Sequence, residues 1–233
     1  MASTEPSLDA GIFGGRWSVV ERSTKPAWVQ IEEQLADRIE SGRLGAGERG
    51  VGRGTFVREA AKVVRDLTRV AGFTEEVERQ GLEAGARILD AAQCAAPDRV
   101  AQALGLEAGA PVIRLERVRL AGPRPMTLED TWVPGERFPG LLDHDLSGSL
   151  YALMRDRYDL GPVSATERLE PVAARSHEAA ALEVAEGCPL MFVERIAYAR
   201  DGTPVEYAHD RHRGDHARFV IRVVPDELLA RAR

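Results

Sequence analysis

Hydrophobic positions recur with two periods along this chain. From Pro26 to Glu40, Trp28, Ile31, Leu35 and Ile39 fall at the spacing that gathers apolar side chains on one face of a helix. Pro26 sits where a first-turn proline is tolerated, and Gly42 ends the run. A later helix is expected within Leu146–Tyr158, with Ser149 as its N-cap and Leu150, Leu153 and Met154 as its apolar stripe. Elsewhere the period is two. In the strand expected over Val112–Leu120, the side chains of Ile113, Leu115, Arg117 and Arg119 share one face, which begins apolar and ends in two arginines. A short strand is expected at Thr55–Val57. Residues 58–72 read as a polar connector with some helical character.

The pattern also repeats itself. Ala103–Val118 (ALGLEAGAPVIRLERV) aligns without a gap on Ala181–Ile196 (ALEVAEGCPLMFVERI) at an offset of 78. Asp98 then falls on Ser176, and both are good helix N-caps. Each copy reads as a short helix, a Gly-Pro turn and a strand that enters a hairpin, through AGPRP in the first copy and RDGTP in the second. Two copies of this kind imply one antiparallel sheet with pseudo-two-fold symmetry and helices on it, an α+β domain over residues 73–227.

Composition changes this picture little. The 233 residues are 44% hydrophobic and 29% charged, which is ordinary for a chain with a real core. No apolar run approaches a membrane span, and the N-terminus lacks the basic and apolar regions of a secretion signal. The first 24 residues read as a mobile tail. Cys94 and Cys188 match no metal or redox spacing, so reduced thiols in a cytoplasm are expected. Net charge is −6, yet Arg43, Arg49, Arg53, Arg58, Lys62, Arg65 and Arg69 make one stretch basic. Within it, the loop GAGERGVGRGTFV looks like the tip of a DNA-contacting hairpin, or equally a solvated linker.

Few residues could carry chemistry. Arg117 and Arg119 are either a solvated strand end or a partly enclosed anion site, since paired guanidinium forks suit phosphate or carboxylate. A helix starting after Ser149 would add backbone N–H groups and the positive end of a dipole, with Tyr151 nearby. Nothing comparable is expected in the second copy, where Ala197 follows Arg195 at the same spacing, so one site per domain is expected. Glu129 and Glu206 follow the two hairpin turns and could meet hydroxyls or an amine. His209, His212 and His216 resemble a metal cluster, but residues three apart on a strand face opposite ways, so no metal is expected. No catalytic nucleophile motif, phosphate loop or dinucleotide fingerprint is present.

Taken in order, the blocks PAWVQIEEQLADRIESGRLGAGER, GVGRGTFV, FTEEVERQGLEAGARIL, LERVRL, FPGLLDHDLSGSLYALMRDRY and GTPVEYAHDRHRGDHARF resemble the GntR superfamily of transcription regulators, HutC subfamily, with its UTRA effector-binding domain. The resemblance implies a chorismate-lyase-like UTRA fold at 73–227, a C-terminal tail at 228–233, a linker at 58–72, and a winged helix-turn-helix remnant at 25–57. It implies a small anionic effector, a phosphosugar or organic acid, with no cofactor. Arg117, Arg119, Ser149 and Tyr151 fall on the anion contacts, and Glu129, Glu206 and His212 on those to the organic part. Phe73 and Thr74 fall where the connector meets the pocket. It also implies operator DNA met through Arg49, Arg53 and Thr55, and a cytoplasmic homodimer. One departure stands out: Arg49 joins directly to Gly50-Val51-Gly52, where the family places a second helix, a recognition helix and a wing strand. The rival readings are a UTRA protein that acts through a partner and a chorismate-lyase-type enzyme.

Overall fold

The computed structural model describes residues 62–223, together with Gln30, Glu33, Gln34, Arg49, Gly50, Gly54 and Thr55. The chain divides into two units, Met1–Ala61 and Lys62–Arg233. In the first unit, Gln30, Glu33 and Gln34 are helical, and the rest of the helix expected at Pro26–Glu40 lies outside the described residues. β1 (Arg49–Gly50) pairs antiparallel with β2 (Gly54–Thr55), so Arg49 stands opposite Thr55 in a short hairpin. Arg53 and the expected strand residues Phe56 and Val57 lie outside the described residues.

The second unit is built on a six-stranded antiparallel sheet in the order β4-β5-β6-β9-β8-β7. Its strands are β4 (Ala84–Ala95), β5 (Pro111–Ala121), β6 (Arg124–Pro134), β7 (Ser164–Ala173), β8 (Pro189–Tyr198) and β9 (Pro204–Arg213). The sequence repeat appears as the two halves of this sheet. β4, β5 and β6 correspond to β7, β8 and β9, and the pseudo-dyad passes between β6 and β9. Helix α2 (Asp98–Leu104) corresponds to α4 (Ser176–Leu182). The two expected caps fall one position inside these helices: Pro97 and Arg175 occupy the cap positions, and Glu178 reaches back to accept from the Arg175 N–H at 2.8 Å. Each helix ends in a left-handed residue, Gly105 (φ 64°) in one copy and Glu183 (φ 57°) in the other.

Strand alternation assigns the two faces different partners. Val112, Trp132 and Tyr207 pack with α2, and Val118, Leu128 and Leu190 pack with α4. The opposite face carries Ile113 and Leu115 against Leu150, Tyr151 and Met154 of α3 (Leu150–Tyr158), with Phe138 and Leu141 completing that core. Helix α1 (Phe73–Arg79) closes the end of this layer through Phe73 and Val77 against Val63 and Met126.

The connector departs from expectation. Residues Val63–Asp66 form a strand, β3, not a helical turn, and β3 pairs in parallel with β10 (Ala217–Val220). The reason is local. Val63 and Arg65 are buried while Val64 faces out, and the Gln80 side chain completes the free edge by accepting from Val64 N at 2.8 Å and donating to Val64 O at 2.9 Å. Residues 62–72 therefore belong to the second unit.

Candidate functional site

The period of two puts one polar group after another onto the face that carries α1 and α3. Across β5, β6 and β9 the register aligns Arg117 with Glu129 and Asp210, and Arg119 with Thr127 and His212. Arg195 of β8 stands opposite Glu167 of β7. Burying charges is costly unless they are paired and hydrogen-bonded, and these are.

Arg119 is 2% exposed and Arg117 is 3% exposed, so neither is a solvated strand end. Arg117 donates from Nη1 to the carbonyls of Leu146 (2.7 Å) and Gly148 (3.2 Å), and from Nη2 to Glu129 Oε2 (2.8 Å). Its Nε is buried and has no hydrogen-bond partner among the described residues. Arg119 donates from Nη2 to Thr74 Oγ1 (2.7 Å), lies 3.5 Å from Glu129 through Nη1, and lays its guanidinium over the Phe73 ring at 4.9 Å. Burial pushes the Glu129 carboxyl up, but Arg119 and Arg117 together outweigh it and hold it below its ordinary value.

Ser149 caps α3 as expected, accepting from the Ala152 N–H at 3.1 Å, which brings the helix start against the arginines. Tyr151 donates its hydroxyl to Glu206 Oε2 at 2.5 Å. Burial raises the Glu206 carboxyl against the opposing pull of Arg195, and burial also lifts the Tyr151 phenol well above its usual range. Gly72, Phe73, Thr74, Thr131 and the residues above enclose a narrow pocket, with about 20 Å³ open to the centre of a water molecule, room for roughly one water. Eight of the sequence-predicted ligand residues converge on it: Phe73, Thr74, Arg117, Arg119, Glu129, Ser149, Tyr151 and Glu206.

His212 does not join them. It is buried and outside the pocket lining, with Nδ1 2.8 Å from Thr127 Oγ1 and Nε2 3.0 Å from Arg65 Nη1. An arginine can only donate, so Nε2 accepts and the imidazole is neutral. Burial first, then Arg65 and Arg195, hold it well below its usual pKa. His209 points to the opposite face, where its Nε2 lies 2.8 Å from the Tyr207 hydroxyl.

Sequence reasoning missed five charged residues: Arg65, Glu76, Glu167, Arg195 and Asp210. Arg195 contributes to the same pocket from the second copy: it donates from Nε to Glu167 at 2.6 Å, and its Nη2 lies 3.2 Å from Asp210. The offset of 78 already placed it on Arg117. Asp210 shares the strand face of His212, and burial pushes its carboxyl up to about 7. Arg65 arrives from the connector strand and pairs with Glu76 at 2.7 Å. In all, four guanidinium groups meet five carboxylates: Arg65, Arg117, Arg119 and Arg195 with Glu76, Glu129, Glu167, Glu206 and Asp210.

Comparison with known proteins identifies the domain. Residues 79–218 match the family model described as the UTRA domain. The chain belongs to the UTRA-domain family of GntR-type regulators. It is 32% identical over 193 residues to the HTH-type transcriptional repressor NagR of Bacillus subtilis (strain 168), covering 82% of this chain and 77% of that one. The crystal structure of PhnF from Mycobacterium smegmatis superposes with a TM-score of 0.68 at 29% identity, covering 84% of each chain. The ligand-binding domain of a putative GntR-family transcriptional regulator from Bordetella bronchiseptica gives a TM-score of 0.57 at 32% identity, covering 61% of this chain and 90% of that one. Among the described residues no helix is long and apolar enough to cross a membrane.

Proposed function

We propose that this protein is a cytoplasmic, homodimeric GntR-type transcriptional regulator, not an enzyme, whose UTRA domain binds a small anionic metabolite. The observation that carries the reading is the convergence of two buried arginines, Arg117 and Arg119, with the start of α3 and Thr74 on one narrow pocket. Guanidinium forks and a helix N-terminus both favour an oxyanion, a phosphate or a carboxylate. Ser149 supplies a hydroxyl. Glu129 and Glu206 meet the polar part of the effector, and Tyr151 holds Glu206 in place. Similarity to NagR and PhnF, both named transcriptional repressors, supports the regulatory role.

Regulation requires that the effector bind two arrangements of the protein unequally. Arg65 ties the connector strand to the charges around the site, because it reaches His212 on β9 and Glu76 on α1. On the DNA side, Arg49 and Thr55 stand opposite each other in a short hairpin, and together with Arg53 they suit backbone or minor-groove contact, which positions more than it specifies. The test is fluorescence anisotropy with labelled DNA from the gene's own upstream region, at low and moderate salt. Sequence-selective binding that a metabolite relieves supports an autonomous regulator. Binding that ignores sequence and vanishes with salt leaves only phosphate attraction, and supports a UTRA protein acting through a partner.

A further inference from the structure

A second cavity adjoins the anion pocket and is far larger, with about 380 Å³ open to the centre of a water molecule. Tyr151 and Arg195 line both. The pseudo-dyad explains its place. The anion pocket is built around Arg117 of the first copy, and the second cavity is built around Arg195, its mate at the offset of 78. The first copy fills its half with a second arginine, Arg119. The second copy has Ala197 at that position, paired with Ala165 of β7, which lines the cavity. Its walls are mixed: Val70, Ala71, Val163, Ala165 and Leu169 are apolar, Thr68, Arg69 and Ser164 are polar, and the Glu167 carboxylate is tied to Arg195 at one end.

The two volumes divide the labour. The anion pocket, with room for about one water, can take an oxygen of an oxyanion in its place and has no space for a substantial organic group. The neighbouring cavity has that room, and its lining joins an apolar wall of Val70, Val163, Ala165 and Leu169 to a few polar groups, which can hold an organic group with an apolar face. We propose that the effector is bipartite: an oxyanion between Arg117 and Arg119, joined to an apolar-faced organic group that runs past Tyr151 and Arg195 into the second cavity. This rests on the anion-binding reading above and narrows it to organic phosphates or carboxylates with a hydrophobic part. It also sets the organic group against Leu67–Ala71, the segment that follows the connector strand β3.

The experiment is a calorimetric ladder on the full chain with inorganic phosphate, methyl phosphate, butyl phosphate and phenyl phosphate. Affinity is expected to rise along the series by roughly twofold to fourfold per buried methylene. Ala165→Phe, at an exposed wall position of the cavity, is expected to melt like the parent and bind phosphate unchanged, while its affinity for phenyl phosphate falls toward that for phosphate. A flat ladder in the unaltered protein, or increments that survive Ala165→Phe in a folded variant, overturns the second cavity as the organic subsite and leaves the anion reading standing. Failure of every phosphate to bind, with Arg119→Ala indistinguishable from the parent, overturns both.

Discussion

Glu129→Gln tests how the charges of the site are balanced. Glu129 Oε2 is shared by Arg117 Nη2 at 2.8 Å and Arg119 Nη1 at 3.5 Å, and all three side chains are buried. Removing one member of a buried pair costs about 3–5 kcal/mol, because the other charge is left uncompensated. Glutamine keeps an acceptor, so the lower end, about 3 kcal/mol, is expected. For a unit of this size each kcal/mol moves the melting midpoint by about 2–4 °C, so Tm should fall by about 6–12 °C in anion-free buffer. Phosphate then replaces the missing charge. At a hundred times Kd a ligand stabilises by about 2.7 kcal/mol, which would restore most of the loss, and the variant should gain more than the parent at equal phosphate. The acid limb follows with a definite sign. Glu129's folded pKa is depressed, so its contribution is present above the unfolded value near ~4.3 and lost as pH falls through the folded one. Differential scanning fluorimetry across phosphate concentration and pH reads all of this. If Glu129→Gln melts with the parent in anion-free buffer, or phosphate rescues the two equally, the charge argument fails.

Three further outcomes are expected. Sulfate, which does not titrate near neutrality, should bind with proton uptake and weaken as pH rises from 6 to 8, because Asp210, raised to about 7 by burial, favours its protonated form beside an added anion; calorimetry in buffers of different ionisation enthalpy checks it, and no proton exchange would remove Asp210 from the account. Ser149→Ala should cost about 1 kcal/mol in chemical denaturation through loss of the α3 cap and also weaken phosphate binding, whereas Ser149→Thr should keep most of both. Glu183→Gly should stabilise by about 0.5 kcal/mol in urea, since Glu183 holds φ 57° at the position where the other copy has Gly105.

The sheet was legible because its signal is written twice. The gapless offset of 78 and the strict alternation from Ile113 to Arg119 fixed the strands, their faces and the pseudo-dyad. The Ser149 cap was readable from local chemistry alone. What stayed hidden depends on register between distant strands. Arg195 stands alone on its strand face in the sequence, between Val193 and Ala197, yet Glu167 and Asp210 meet it from flanking strands. His212, expected at the ligand, meets Arg65 of the connector strand, which no periodicity announces, and does not line the narrow pocket. Residues 58–72 read as a polar connector with some helical character, because the partners of β3, the strand β10 and the Gln80 side chain, lie far along the chain.

The most direct test of the account is calorimetric titration of phosphorylated sugars, organic phosphates and organic acids into the full chain, with Arg119→Ala run in parallel. The account predicts saturable binding of at least one such anion, weakened by tenfold or more in Arg119→Ala as expected for a lost charge-assisted contact of about 1.5–3 kcal/mol. Binding of a neutral metabolite in preference to every anion, or anion binding indifferent to Arg119, would contradict it.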